Sequence, residues 1–145
     1  MRTFTIVAAM ALLLSACTSA VVAGGPVELR IAGSGAFAAE TERKALAVFD
    51  DETYTALWAA TIDEHGEMAP IDFSTESAVV LFGGQRNTGG YAIDVRGATI
   101  EGETLVVDAV VKGPPGGSIV TQVLTQPWTV IAVKNRRFKD VRWDR

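Results

Sequence analysis

Few residues in this chain carry reactive groups. His65 is the sole histidine, and it stands among carboxylates: Asp63, Glu64 and Glu67. A histidine beside acids can ligate a metal or act as a base. One histidine, however, gives no spacing for a closed zinc site. A serine triad would have to use that same His65, and no nucleophile-elbow motif is present. The carboxylate pairs Asp50/Asp51 and Glu101/Glu103 fall at a helix start and in a turn, where acids have structural reasons to be. The chemistry in view is therefore recognition rather than catalysis. No enzyme activity, metal or cofactor is expected.

Three stretches are built for close backbone approach instead. "RNTGGY" holds Asn87, Thr88, Gly89, Gly90 and Tyr91. "GPPGG" holds Pro114, Pro115, Gly116 and Gly117, and "QPW" holds Gln126, Pro127 and Trp128. A phosphate cradle runs from a strand through glycines into a helix. Here the glycines lead into an alternating strand and no lysine follows, so a phosphate site is excluded. A tight turn and a protein-binding lip remain, and one loop can be both. Gly89 and Gly90 permit positive φ, and Asn87 and Thr88 can bond nearby backbone. Trp128 is either a partner anchor or a core residue.

The elements that would hold these loops are mostly strands. "PVELRIA" and "ERKALAVF" are short candidate strands. "DDETYTALWAATI" (50–62) is the one helix: Asp50 or Asp51 caps it, and Glu52 suits the positive end of its dipole. Tyr54, Leu57, Trp58 and Ile62 make a single apolar stripe that faces a core. "SAVVLFGG" (77–84) is continuously apolar, as in a strand covered on both faces. In "GYAIDVRGATI", Tyr91, Ile93 and Val95 alternate with Ala92, Asp94 and Arg96. "EGET" (101–104) is a turn, followed by the strand "TLVVDAVVK". "GPPGGS" reverses the chain. "IVTQVLTQ" and "WTVIAVK" read as two strands parted by Pro127, which marks an edge, bulge or strand start. Short strands with turn signals predict a mostly β domain, a small antiparallel sandwich or barrel of Ig-like or related type, with one short helix near 51–62.

The first sixteen residues lie outside that domain. Arg2 precedes an apolar run from Phe4 to Leu14, too short to span a bilayer, which takes about 20 residues. It ends in Leu14-Ser15-Ala16-Cys17, which resembles a bacterial lipobox. That resemblance implies a signal peptide over 1–16, a diacylglyceryl group on Cys17, and a flexible tether over 17–27 before one domain at 28–145. An ordinary signal cut later, for instance after Ala23, is the other reading. Cys17 is the only cysteine, so no disulfide within the chain is possible. Thr18 rather than Asp after it leans toward an outer membrane facing the periplasm in a Gram-negative host.

The formal net charge is −4, one unit more negative once Arg2 is removed, which argues against nucleic acid. The last twelve residues reverse the balance, with six basic and two acidic side chains. They read as a solvated final strand interleaved with Phe138, Val141 and Trp143, or as a patch facing lipid headgroups or an acidic partner.

Two family resemblances attach to the loops. Asp72-Phe73, the apolar strand, Thr88 to Tyr91, the Pro-Gly loop at Pro114 to Gly117, and Pro127-Trp128 before a last apolar strand are similar to the PrcB C-terminal-domain family, over roughly Leu29 to Val141. That resemblance implies a non-catalytic, exported or lipid-anchored subunit that assists a protease complex. The three loops are also similar in order to those of chagasin-type cysteine peptidase inhibitors. The chain departs from that pattern at Asn87, where a proline stands, at Gly89, where a threonine stands, and at Gln126, where an arginine stands. The expected function is a monomeric, lipid-anchored envelope domain that binds a protein partner, plausibly a surface or periplasmic protease. A peptidase inhibitor and a glycan- or lipid-binding envelope domain are the alternatives.

Overall fold

The computed structural model describes residues 23–62, 67–134 and 137–144. Cys17, His65 and Arg136 lie outside these residues. The elements run β1 (Ala23–Pro26), β2 (Leu29–Gly35), β3 (Arg43–Val48), α1 (Asp51–Thr61), β4 (Ser77–Gly83), β5 (Ala92–Glu101), β6 (Thr104–Lys112), β7 (Trp128–Val133) and β8 (Asp140–Asp144). They form two four-stranded sheets, ordered β1-β5-β6-β8 and β2-β7-β4-β3.

Strand β4 explains the layering. Each of its residues is buried. Period-2 alternation sends Ala78, Val80 and Phe82 to one face, where they pack with Tyr54, Trp58 and Ile62 of the helix segment. Val79 and Leu81 go to the other face and meet Leu105, Val107 and Ala109 of the second sheet. Three layers result: helix, sheet, sheet. A strand inside such a stack has no solvent face, which is why its sequence is continuously apolar.

The helix forms where the sequence predicts. Asp50 is its N-cap: one carboxylate oxygen accepts the Thr53 N–H at 2.8 Å, and the other accepts the Thr53 hydroxyl at 2.8 Å. The Tyr54 hydroxyl donates to the Ala69 carbonyl at 2.9 Å in a buried setting. It pins the segment after the helix to the helix's own inner face. Arg30 of β2 makes a two-pronged contact with the buried carboxylate of Glu76, at 3.0 and 2.8 Å, and also donates to the Pro70 carbonyl at 2.9 Å. One guanidinium thus ties β2 to both ends of the 70–76 segment.

Strand β5 keeps its alternation through an irregularity. Its register with β6 shifts between Val95 and Gly97, which leaves Arg96 without an opposite residue. The bulge moves the inward set from Ile93 and Val95 to Ala98 and Ile100, and all four pack in the inter-sheet core. Without that extra residue Ala98 and Ile100 would face outward.

Four expectations are corrected. The sandwich alternative holds, but there is no closed barrel. The sheets are not wholly antiparallel, because β8 pairs parallel to β6. Strand β7 ends at the same end of the sandwich as the Glu101–Thr104 turn. The chain then crosses to the other sheet with Phe138 buried between the layers, so β8 starts beside Thr104 and runs the same way as β6. The stretch expected as a tether over 17–27 is ordered from its later part, since β1 pairs with β5, Ala23 opposite Glu101 and Pro26 opposite Thr99. Gly24 makes this possible: a Cβ there would lie 1.5 Å from the Ile100 carbonyl oxygen. Finally, "IVTQVLTQ" is not a strand. It has one isolated bridge, Arg86 with Thr125. Its apolar residues 119, 120, 123 and 124 follow no period of two, so no sheet face could bury them together.

Two changes test this packing. Burial pushes the Tyr54 phenol up to about 12 from its ordinary 10.0. A raised folded-state value means the protonated phenol is favoured in the fold. Its contribution is full below about pH 10 and is lost as pH rises through about 12. Tyr54→Phe should cost about 1–2 kcal/mol at neutral pH, because the Ala69 carbonyl loses its buried donor. Denaturant melts from pH 9 to 12 should show a steeper alkaline loss in the wild type than in the variant. Glu76 behaves oppositely. The Arg30 hydrogen bonds hold its carboxyl below the ordinary 4.5. The stability it contributes is present above about that pH and falls away as pH drops below it. Glu76→Gln should flatten the acid limb of the same stability profile.

Candidate functional site

The three turn segments gather at one end of the sandwich. Strands β4 and β6 finish there, and β5 and β7 begin there. Residues 84–91 join β4 to β5, crossing between the sheets. Gly84 takes φ +78° and Gly90 φ +85°, the left-handed region where a Cβ is strained. The turn does not stand free. Gly89 donates its N–H to the Thr121 carbonyl at 2.9 Å, and the buried Thr125 hydroxyl donates to the Thr88 carbonyl at 2.7 Å. Arg86 and Thr125 exchange both backbone bonds, at 2.7 and 2.9 Å.

The Gly89-Gly90 pair also lies close against the second segment. A Cβ on Gly89 would lie 2.3 Å from the Thr121 hydroxyl oxygen, and one on Gly90 would lie 2.9 Å from the Pro114 Cβ. The Thr-Gly-Gly turn is thus the seat on which the 113–127 segment lies. Tyr91 packs under Gly113, where a Cβ would be 3.0 Å from its ring. The Arg86 guanidinium sits 5.5 Å from the Tyr91 ring centroid and donates to the Gly83 carbonyl at 2.8 Å. Arg86 is the only charged residue in 84–91 and 113–128 together.

The second segment reverses as its composition predicts. Gly117 takes φ +79°, and Ser118 donates its N–H to the Pro115 carbonyl at 3.1 Å. Gly116 and Gly117 are exposed. In the third segment Gln126 donates to the Ala36 carbonyl at 2.8 Å, and the buried Pro127 accepts the Gly83 N–H at 2.7 Å.

Trp128 departs from this grouping. It alternates onto the helix side of its sheet and meets Trp58 edge-on, with ring centroids 5.3 Å apart. Its indole fills the space left by Gly35, where a Cβ would be 2.6 Å from the ring nitrogen. One side of it lines a cleft of about 410 Å³ with Gly33, Phe37, Trp58 and Met68. Asn87 to Tyr91, Pro114 to Gly117, Gln126 and Pro127 therefore share one end, while the Trp128 ring belongs to the core under α1. That placement removes the aromatic third loop on which the chagasin resemblance depends.

Sequence reasoning missed the exposed large hydrophobic residues of this end. Ile119 is fully exposed, Leu124 is 54% exposed, Phe37 52% and Val123 46%. The available signal was an apolar stretch with no β period, free of charge, between a Pro-Gly loop and Pro127. The basic tail follows the solvated reading. Lys134 pairs with Glu28 at 2.6 Å, Lys139 with Glu103, and Arg142 with Glu101 at 3.1 Å. Among the described residues no group of three or more histidine, cysteine or acidic side chains could hold a metal ion, and no helix is long and apolar enough to cross a membrane.

Residues 77–134 match the family described as PrcB C-terminal. The matched residues run from the first residue of β4 to the one after β7, so they contain all three turn segments. No curated protein and no solved structure matches the chain.

The self-packed turn makes a testable demand. Gly90→Ala should destabilise the domain by about 1–2 kcal/mol, from left-handed backbone strain together with the Pro114 clash. Gly116→Ala, where a Cβ meets nothing within 4 Å, should leave the midpoint of a thermal melt nearly unchanged.

Proposed function

We propose that the chain is a non-catalytic, lipid-anchored protein of the cell envelope that binds a protein partner and supports a protease complex. The observation that carries this reading is the PrcB C-terminal match over residues 77–134, a span that contains the loops gathered at one end of the sandwich. The lipobox-like Leu14-Ser15-Ala16-Cys17 supplies the anchor. Each buried CH₂ of its acyl chains contributes about 0.8 kcal/mol to membrane attachment. The domain's part is to hold a rigid binding end; the chemistry belongs to the partner.

Two linked measurements test it. Metabolic labelling with a fatty acid should mark the wild type and not Cys17→Ser. Affinity isolation of the intact protein from detergent-solubilised envelopes should bring down a peptidase or its complex, while the purified chain alone cleaves no protein substrate. An unlabelled wild type defeats the anchor. Intrinsic peptidase activity, or isolation that never enriches a peptidase, defeats the proposed role.

A further inference from the structure

Apolar exposure on this molecule is concentrated at one end. Six large hydrophobic side chains are exposed among the described residues, and four of them, Phe37, Ile119, Val123 and Leu124, lie at the end that carries the turn segments. The loop that bears three of them is held firmly. It is bonded to Gly89, Thr88 and Arg86 through Thr121 and Thr125, and Gln126 ties its far side to Ala36, next to Phe37. Residues 113–128 contain no charge. A fixed, uncharged surface with protruding aliphatic side chains fits an uncharged apolar recess. It does not fit an acidic headgroup or a charged polymer.

The chain's point of entry decides between lipid and protein. The described residues begin at Ala23, opposite Glu101, at the far end of β5 from Ala92 and the turn segments. A ten-residue strand is about 30 Å long. Residues 18–22, between Cys17 and Ala23, can reach at most ~18 Å. Lys134, Lys139 and Arg142 also lie at that entry end, beside Glu28, Glu103 and Glu101. A chain anchored through Cys17 is held by this end of paired charges, with the apolar loop pointing away from the bilayer.

We infer that the exposed Ile119, Val123 and Leu124, with Phe37 at the same end, are a docking site for an apolar, uncharged recess on another envelope protein. This rests on the proposed reading as an anchored protein-binding subunit, and it names the surface and the chemistry of the partner. The Thr-Gly-Gly turn serves this site indirectly, as the seat of the loop, and is not itself the contact.

The test uses the full chain in intact cells. A photo-crosslinking benzoyl-phenylalanine is placed singly at Ile119, Leu124, Thr99 or Lys139. Positions 119 and 124 should each give a discrete protein adduct at about tenfold or greater yield than 99 and 139. Combining either with Val123→Asp should reduce that yield by about tenfold or more, with the thermal melt unchanged because Val123 is exposed. In parallel, Ile119→Cys carrying an environment-sensitive dye is reconstituted in phosphatidylethanolamine and phosphatidylglycerol vesicles containing nitroxide lipid. The dye should not be quenched. Quenching would make the loop a lipid contact and overturn the inference. Discrete adducts from 99 or 139 alone would overturn it while leaving a protein-binding subunit in place. Adducts from no position would overturn both.

Discussion

Everything in this fold depends on burying both faces of β4. A strand without a polar face cannot sit at a solvent boundary, so it needs a cover on each side. One side is closed by α1 through Tyr54 and Trp58, the other by the β5-β6 layer through Leu105, Val107 and Ala109. With a single cysteine in the chain, no disulfide within it can share this burden. The polar fixtures serve the same burial. The Tyr54 hydroxyl on Ala69 and the Arg30 fork on Glu76 hold the 69–76 segment against the helix layer, where it would otherwise leave apolar surface open.

The turn end is organised by a different constraint, the close approach of two backbones. Residues 84–91 and 113–127 meet through Gly89 and Gly90, where a Cβ would press on the Thr121 hydroxyl and on the Pro114 ring. A glycine pair before a strand suggests exposure to a partner. Here the partner of those glycines is the chain's own Thr121 and Pro114. This intramolecular use leaves the apolar side chains of the second segment pointing outward, since its inward-facing atoms are spent on backbone bonds to the first.

What was legible in the sequence is what local physics settles. The helix, its Asp50 cap and its Tyr54–Trp58 stripe follow from periodicity and capping, and both sheets' main strands follow from apolar runs bounded by glycine and proline. The Arg96 bulge was not legible, because an unbroken alternation reads the same with or without an extra residue until the inward set must reach Ala98. The parallel β8 was hidden as well, since its direction comes from where β7 ends rather than from its own residues. Residues 119–126 failed for a sharper reason: β-branched residues raise strand propensity, but propensity is no substitute for a face that can be buried. Trp128 reads from sequence as either core or anchor, and the signal for the core is Gly35 opposite it on β2, with Gly33 beside its ring. Their meaning depends on the β2–β7 register, which no short-range pattern supplies.

The two ends of the sandwich differ because the connections are sorted between them. At one end lie the Gly102 turn, the end of β7, the start of β8 and the start of β1, with carboxylates and cations in pairs. At the other lie the connections 36–42, 84–91 and 113–127, where Arg86 is the only charge in the last two. Exposed ion pairs contribute little to stability, so charge at the first end can be varied at small cost to the fold. The second end has no such freedom, since its turns are fixed by glycine contacts and buried hydroxyl bonds. The loop over 113–127 is thus an uncharged, internally bonded surface opposite an end of paired charges, which suits the proposed tethered binding subunit. A loop already bonded in place has less conformational entropy to lose on meeting a partner, so the proposed docking would not consume the affinity of so few aliphatic side chains in arranging them.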